Sequence, residues 1–223
     1  SADGSESVET FTIDVSDVNE APTNIALNAT TIDENTDTSA ASVKIADIAV
    51  SDDALGSNTL NLSGSDAASF EIVGDELYVR KGVTLDFESK PSYAIRITST
   101  DGALSYSEAF TIGVDDLNDT APVVDAITDQ SLAENATAGA AIVTAGASDA
   151  DTVGTVTYSL STVPNDGSGN ALFAIDSSTG AVTLTTAGAA VLDYESATKS
   201  YTLGVTANDG VSDSAEVTFD VNL

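Results

Sequence analysis

Apolar and polar residues alternate along much of this chain, and the alternation repeats at matched places. In "SYAIRIT" (92–98) Tyr93, Ile95 and Ile97 share one face, and in "SYTLGVT" (200–206) Tyr201, Leu203 and Val205 do the same. A period of two is that of a strand with one face against a core. Turn signals separate such runs: "FEIVGDELYV" breaks at Gly74-Asp75, and "FAIDSSTGAVTL" breaks around Ser178 to Gly180. Both read as hairpins in which glycine takes a positive φ. No stretch carries a sustained helical stripe. Many short strands with turn residues at short intervals predict an all-β chain of two-sheet, immunoglobulin-like Greek-key sandwiches.

The pattern is also repeated on the scale of a domain. "DGSESVETFTIDVSDVNEAP" (3–22), "DGALSYSEAFTIGVDDLNDTAP" (101–122) and "DGVSDSAEVTFDVNL" (209–223) share an Asp-Gly turn followed by an alternating strand. The first two end in an acidic linker and Ala-Pro. Pro22 and Pro122 stand 100 residues apart, as do Glu34 and Glu134, whereas Asp86 and Asp193 stand 107 apart. A period of this size means tandem modules. The expected organisation is the last strand and linker of a preceding repeat over 1–20, one full module with its linker over 21–119, and a second over 120–223.

Composition sharpens the picture. The chain has 223 residues, 42% hydrophobic and 19% charged, with 36 acidic residues against 6 basic ones and a net charge of -30. That apolar content supports folded cores, so the acid decorates a folded body. Aromatics are few, leaving the cores to Val, Ile, Leu and Ala. Such charge repels nucleic-acid phosphates and anionic lipid and favours cations. Cys, His, Trp and Met are absent, so disulfides are excluded and the redox compartment is unreadable. Without an initiator Met, a leader or a long apolar run, the chain reads as a piece of a longer one that does not insert into a membrane.

The acid falls at corresponding points of each copy. Glu34 and Glu134 read as preceding a strand, Asp86/Glu88 and Asp193/Glu195 are i, i+2 pairs, and Asp101 and Asp209 open Asp-Gly turns. In an extended strand Asp86 and Glu88 face one side, and Phe87 the other. Phe87 and Tyr194 therefore read as core packing. Two carboxylates about 4 Å apart repel by roughly 4 kcal/mol at an effective dielectric near 20, a cost that an intervening cation removes. A donor set of carboxylates, amides and carbonyls suits Ca²⁺, while zinc or copper would call for His or Cys.

The order Glu34, "LDFE" (85–88), "TDG" (100–102), "DLNDTAP" (116–122) and "SDAD" (148–151) resembles the calcium signature of cadherin repeats across nearly the whole chain. "FAIDSSTGAVTL", "TVTYSL" and "VTANDG" are similar to further landmarks of that family. The resemblance implies about three Ca²⁺ at the middle junction. Its ligands would be Glu34, Asp86 and Glu88 from the first module, and Asn118, Asp119 and the carbonyls of Leu117 and Thr120 from the linker. Asp149, Asp151 and Asp209 would complete the set from the second.

The outer ends depart from the pattern. The linker "DVNEAP" is one residue shorter, Glu20 stands where Asp119 stands later, and Ala54 stands where Asp151 does. Asp53 is the candidate to compensate. That end offers a partial set of Asn19, Asp52 or Asp53, and Asp101. At the far end Glu134, Asp193 and Glu195 form another half-set.

The Asn-x-Ser/Thr matches at Asn28, Asn61, Asn118 and Asn135 read as chance, with Asn118 better used as a ligand. Paired carboxylates also serve glycoside hydrolysis, but each pair here lies in one segment with no Trp platform, so no enzyme is expected. The resemblance implies a calcium-stiffened extracellular or cell-surface segment, with neighbouring repeats and cell-surface protein or polysaccharide as partners. Composition leans toward a bacterial surface protein. The alternative is a Ca²⁺-dependent carbohydrate-binding module.

Overall fold

The computed structural model describes residues 4, 6, 8–53 and 55–223. The first Asp-Gly turn, at Asp3, and Ala54 lie partly or wholly outside the described residues. Contacts divide the chain into two compact units, with the boundary between Asp115 and Asp116.

The first unit holds eight strands: β1 (Asn24–Leu27), β2 (Thr31–Asp33), β3 (Val43–Ser51), β4 (Asn58–Ser63), β5 (Phe70–Val73), β6 (Glu76–Val79), β7 (Ser92–Asp101) and β8 (Leu104–Asp115). They form two four-stranded sheets, β1-β3-β6-β5 and β2-β8-β7-β4. All neighbours are antiparallel except β2 and β8. The first strand segment therefore starts on one sheet and crosses to the other, giving the arrangement of an immunoglobulin-like sandwich. On β7 the residues Tyr93, Ile95, Ile97 and Ser99 are buried and their neighbours are not. Tyr93, Ile95 and Ile97 meet Ile25, Ile48, Phe70, Leu77, Leu85 and Ile112 in one core. Phe70 and Tyr93 pack edge to face at 5.4 Å, the arrangement that ring quadrupoles favour.

The second unit repeats the plan in β9 (Val123–Val124), β10 (Gln130–Ser131), β11 (Ala141–Thr144), β12 (Ala147–Ser148), β13 (Thr157–Thr162), β14 (Phe173–Ile175), β15 (Ala181–Leu184), β16 (Ser200–Asn208) and β17 (Val217–Asn222). Its sheets are β10-β17-β16-β13, β11-β15-β14 and the pair β12-β9. Phe173, Val182, Leu184, Leu203, Val205, Phe219 and Val221 fill its core. A six-residue helix, α1 (Thr186–Val191), follows β15. The Thr185 hydroxyl caps it by accepting from the Gly188 N–H at 3.0 Å. No described helix is long and apolar enough to cross a membrane.

Both expected hairpins form: β5 returns as β6 through Gly74 at φ +62°, and β14 returns as β15 through Gly180 at φ +70°. Three local expectations are corrected. Asp86 to Ser89 form a turn rather than a strand, closed by the Lys90 N–H donating to the Asp86 carbonyl at 2.9 Å. Glu34 follows β2 and Glu134 follows β10 by a few residues, so neither precedes a strand. Tyr194 is 48% exposed with the Lys199 ammonium 4.1 Å from its ring centroid, whereas Phe87 does pack on the core. Residues 8–20 form no strand. Phe11, Ile13 and Val15 there are 81%, 86% and 91% exposed.

Candidate metal centres

In the second unit the linker is held by the Asp151 carboxylate in the loop after β12 and by the Asp209 backbone carbonyl in the turn after β16. Asp151 is 7% exposed and accepts from the N–H groups of Asp119 (3.0 Å) and Thr120 (2.9 Å) through Oδ2. Its own N–H donates to Asp149 Oδ1 at 3.3 Å. Asp209, 2% exposed, accepts from the N–H groups of Val211 and Ser212 at 2.7 Å through Oδ1. Those backbone donors, Ser212 first, hold its carboxyl below the ordinary carboxylate range. The Asn118 amide nitrogen donates to the Asp209 carbonyl at 3.1 Å. That bond fixes which way the amide faces and leaves Asn118 Oδ1 as an acceptor. Oxygens of Asp149, Asp151 and Asp209 lie within 4.8 Å of one another.

Asp151, Asp209 and Asn118, and with them Asp116 of the linker, each keep an oxygen that nothing satisfies. Asp151 Oδ1, Asp209 Oδ2, Asn118 Oδ1 and Asp116 Oδ1 are buried without a hydrogen-bond partner. In the first unit Asn19 Oδ1 and Asp101 Oδ2 are in the same state, and these six are the only such atoms among the described residues. Burying an unpaired carboxylate oxygen costs several kcal/mol. All six are acceptors, so a cation is the kind of group that would satisfy them. All-oxygen donors fit Ca²⁺.

The first unit carries a second carboxylate group. Glu34 is 2% exposed and accepts from the Phe87 N–H at 2.9 Å. Its carboxylate lies within 4.8 Å of those of Asp86 and Glu88. Asp86 accepts from the Ser89 N–H and hydroxyl, both at 2.8 Å, and these bonds lower its pKa. The expected pairing of Asp86 with Glu88 is thus achieved by a turn, which replaces the strand expected from the sequence. Glu134, Asp193 and Glu195 form the corresponding group in the second unit, but all three are exposed. A side-chain hydrogen bond with Asp193, and then the charge of Glu134, raise the Glu195 pKa. At the first linker Asp53 Oδ2 accepts from the Glu20 N–H at 2.8 Å, and Asp52 Oδ2 from the Asn58 amide at 2.8 Å.

Sequence reasoning missed three participants. Asp116, the first acid of "DLNDTAP", accepts through Oδ2 from the N–H of Thr152 at 2.6 Å and from its hydroxyl, leaving Oδ1 buried and unpartnered. Gly154 (φ +94°) lets the chain close on Asn118, since a Cβ there would sit 2.6 Å from the amide nitrogen. Gly56 (φ +79°) does the same beside Asp101. The repeat of Asp17 and Asp116, and of Gly56 and Gly154, was the available signal. Among the remaining predicted ligands, Leu117 is 40% exposed, and the Thr120 hydroxyl donates to Asp119 Oδ1 at 3.2 Å.

The strand order and the paired acidic motifs define tandem immunoglobulin-like sandwiches with oxygen-rich centres. More specifically, the fold and the order of motifs resemble those of cadherin repeats. Residues 129–223 match the cadherin domain family model. The chain is 35% identical over 147 residues to Protocadherin Fat 1 of Homo sapiens, covering 61% of this chain and 3% of that protein. It is 37% identical over 154 residues to Protein dachsous of Drosophila melanogaster, covering 66% and 4%. The chain thus spans only a few per cent of these relatives. Among solved structures, the two-repeat fragment EC1-2 of chicken VE-cadherin aligns with TM-score 0.68 and 26% identity, covering 86% of this chain and 96% of that one. The EC3-6 cis-dimer structure of protocadherin gammaB7 aligns with TM-score 0.69 and 26% identity over 92% and 50%. The curated relatives named here are animal proteins, which lends no support to the bacterial setting expected from composition.

Proposed function

We propose that this chain is a calcium-binding, non-enzymatic segment of an extracellular adhesion-type protein, in which Ca²⁺ restricts motion between successive repeats. The observation that carries this reading is the set of buried, unpartnered oxygens on Asp116, Asn118, Asp151 and Asp209. A folded protein tolerates such atoms where an ion satisfies them. The order of motifs along the chain supports a shared site: Glu34, Asp86 and Glu88 before the linker, Leu117 to Thr120 within it, and Asp149, Asp151 and Asp209 after it. About three ions suit this many donors, each ion taking six to eight oxygens. The relatives' family supports an extracellular address, and calcium and neighbouring repeats as partners. A cell-surface protein or polysaccharide is the adhesion partner this reading implies.

Calorimetric titration of the 223-residue chain with Ca²⁺ tests the proposal. Binding in the range of about 10⁻⁴ to 10⁻³ M is expected, as for other extracellular modules. Asp119→Ala should weaken it more than Asp193→Ala, because only Asp119 lies in the linker set. Failure to bind Ca²⁺ at millimolar concentration would reject the reading.

A further inference from the structure

A strand at the rim of a sheet offers unpaired backbone groups to any other strand, and folded proteins guard such rims with bulges, charges or shortness. Several rims here are guarded in these ways. In the second unit β13 carries a bulge between Leu160 and Thr162, and the hydroxyls of Ser161 and Thr162 donate to the Glu216 carboxylate at 2.6 and 2.7 Å. In the first unit β5 is four residues long and carries Glu71, paired with Arg80. On the opposite rim of that sheet β1 is as short, and Asn28 directly after it is tied to Asp47 through its amide. β4 lacks all of these protections. It stands at the rim of β2-β8-β7-β4 and pairs with β7 over all six of its residues with no register shift. No charged residue occurs from position 54 to position 65.

The face beside this rim is also free of acid. Leu60 and Leu62 turn toward the core, and Thr59, Asn61 and Ser63 are exposed on the other side. The register sets Thr59 beside Thr100, Asn61 beside Thr98 and Ser63 beside Arg96, and β8 adds two serines and an alanine to the same rows. The Thr98 and Ser107 hydroxyls bond to each other at 2.8 Å. Arg96 has no ion pair among the described residues. Three rows across three strands therefore carry no carboxylate, in a chain with 36 acidic residues and a net charge of -30. Like charge keeps two copies apart wherever carboxylates face each other. These rows are where they can approach.

We infer that β4 is a self-association edge, pairing antiparallel with β4 of a second copy so that two four-stranded sheets become one continuous sheet across a two-fold axis. Side-chain direction selects the register, because facing residues must point to the same side of the sheet. A two-fold through Asn61 sets Leu60 opposite Leu62 of the second copy, Thr59 opposite Ser63, and Asn61 opposite itself. Leucine then meets leucine on the core side and hydroxyl meets hydroxyl on the solvent side. The two Asn61 amides, each both donor and acceptor, complement one another, as a two-fold interface demands. A two-fold through Leu60 would instead set Leu62 against Asn58, which is already held by Asp52 and Ser99. One added strand pair buries less than the roughly 1,200 Å² of a standard interface, so the association is weak. It uses none of the calcium ligands proposed above.

Sedimentation equilibrium of the 223-residue chain in chelator tests the inference apart from the calcium reading. A dimer should appear at about 10⁻⁴ M protein, and its fraction should rise several-fold as added salt screens the net charge. Asn61→Asp sets two carboxylates opposite each other and should abolish the dimer. Thr111→Asp, exposed on β8 two strands in from the rim, should leave it intact. Circular dichroism checks that both variants stay β-rich. Because the chain has no cysteine, Asn61→Cys adds a single thiol whose Cβ lies about 5 Å from its copy across the two-fold. With oxidised glutathione it should yield a covalent dimer, and Thr111→Cys should not. A monomer at every salt concentration, a dimer that survives Asn61→Asp, or equal cross-linking through positions 61 and 111 would overturn the inference.

Discussion

Asp209 shows how one residue serves both structure and site. Its Oδ1 closes the turn after β16 by accepting two backbone N–H groups, which fixes the carboxylate plane and aims Oδ2 inward, buried and unpartnered. Gly154 matters for the same reason. Gly154→Ala puts a Cβ 2.6 Å from the Asn118 amide nitrogen and 3.0 Å from the Asp209 carbonyl, in a backbone region that side chains rarely adopt. The substitution should cost about 1–3 kcal/mol by urea denaturation and weaken calcium binding in titration. Asp176, away from these centres, reports on acid stability. The Ser178 hydroxyl, then the Thr179 and Ser178 N–H groups, depress its pKa to about 2 from an ordinary 3.8. A carboxyl with a depressed folded-state pKa stabilises the fold fully above its unfolded pKa. That contribution is lost as pH falls through the folded value. Thermal melts of the chain and of Asp176→Asn should therefore differ above about pH 4 and converge near pH 2, and a difference unchanged across this window would contradict the assignment.

At the scale of elements, each unit's stability rests on strands with one face in its own core. Ile97 on β7 and Leu203 on β16 are fully buried in separate cores. Truncating either to Ala should cost about 2–5 kcal/mol. In denaturant the loss should appear in the transition of the altered unit and leave the other in place. A uniform shift of both would mean the units do not fold independently. These strands were legible in the sequence because one-sided burial writes a period of two, and the hairpins because Gly74 and Gly180 occupy positive φ. The "LDFES" turn was not legible. It depends on the Lys90 and Ser89 N–H groups returning to Asp86, and on the Phe87 N–H reaching Glu34, 53 positions away. Likewise the repeat located the acids of the linker, but only the hydrogen bonds reveal that Asp116 keeps an oxygen free while Asp53 does not.

For the whole molecule, the net charge of -30 sets the terms of association. At physiological salt the chain should bind neither duplex DNA nor anionic liposomes, since like charge opposes both. Measurable retention without added divalent metal would contradict that expectation. If ions are shared across the linker as proposed, small-angle scattering through a calcium titration should yield a narrower distance distribution as calcium rises, while circular dichroism stays β-rich in chelator. A distribution equally broad in both conditions would reject stiffening. The central claim, however, is where the calcium sits, and anomalous diffraction from crystals grown in millimolar Ca²⁺ measures that directly. The account predicts calcium peaks coordinated by Asp116, Asn118, Asp119, Asp151 and Asp209. Peaks confined to Glu134, Asp193 and Glu195, or none at Asp116–Pro122, would contradict it.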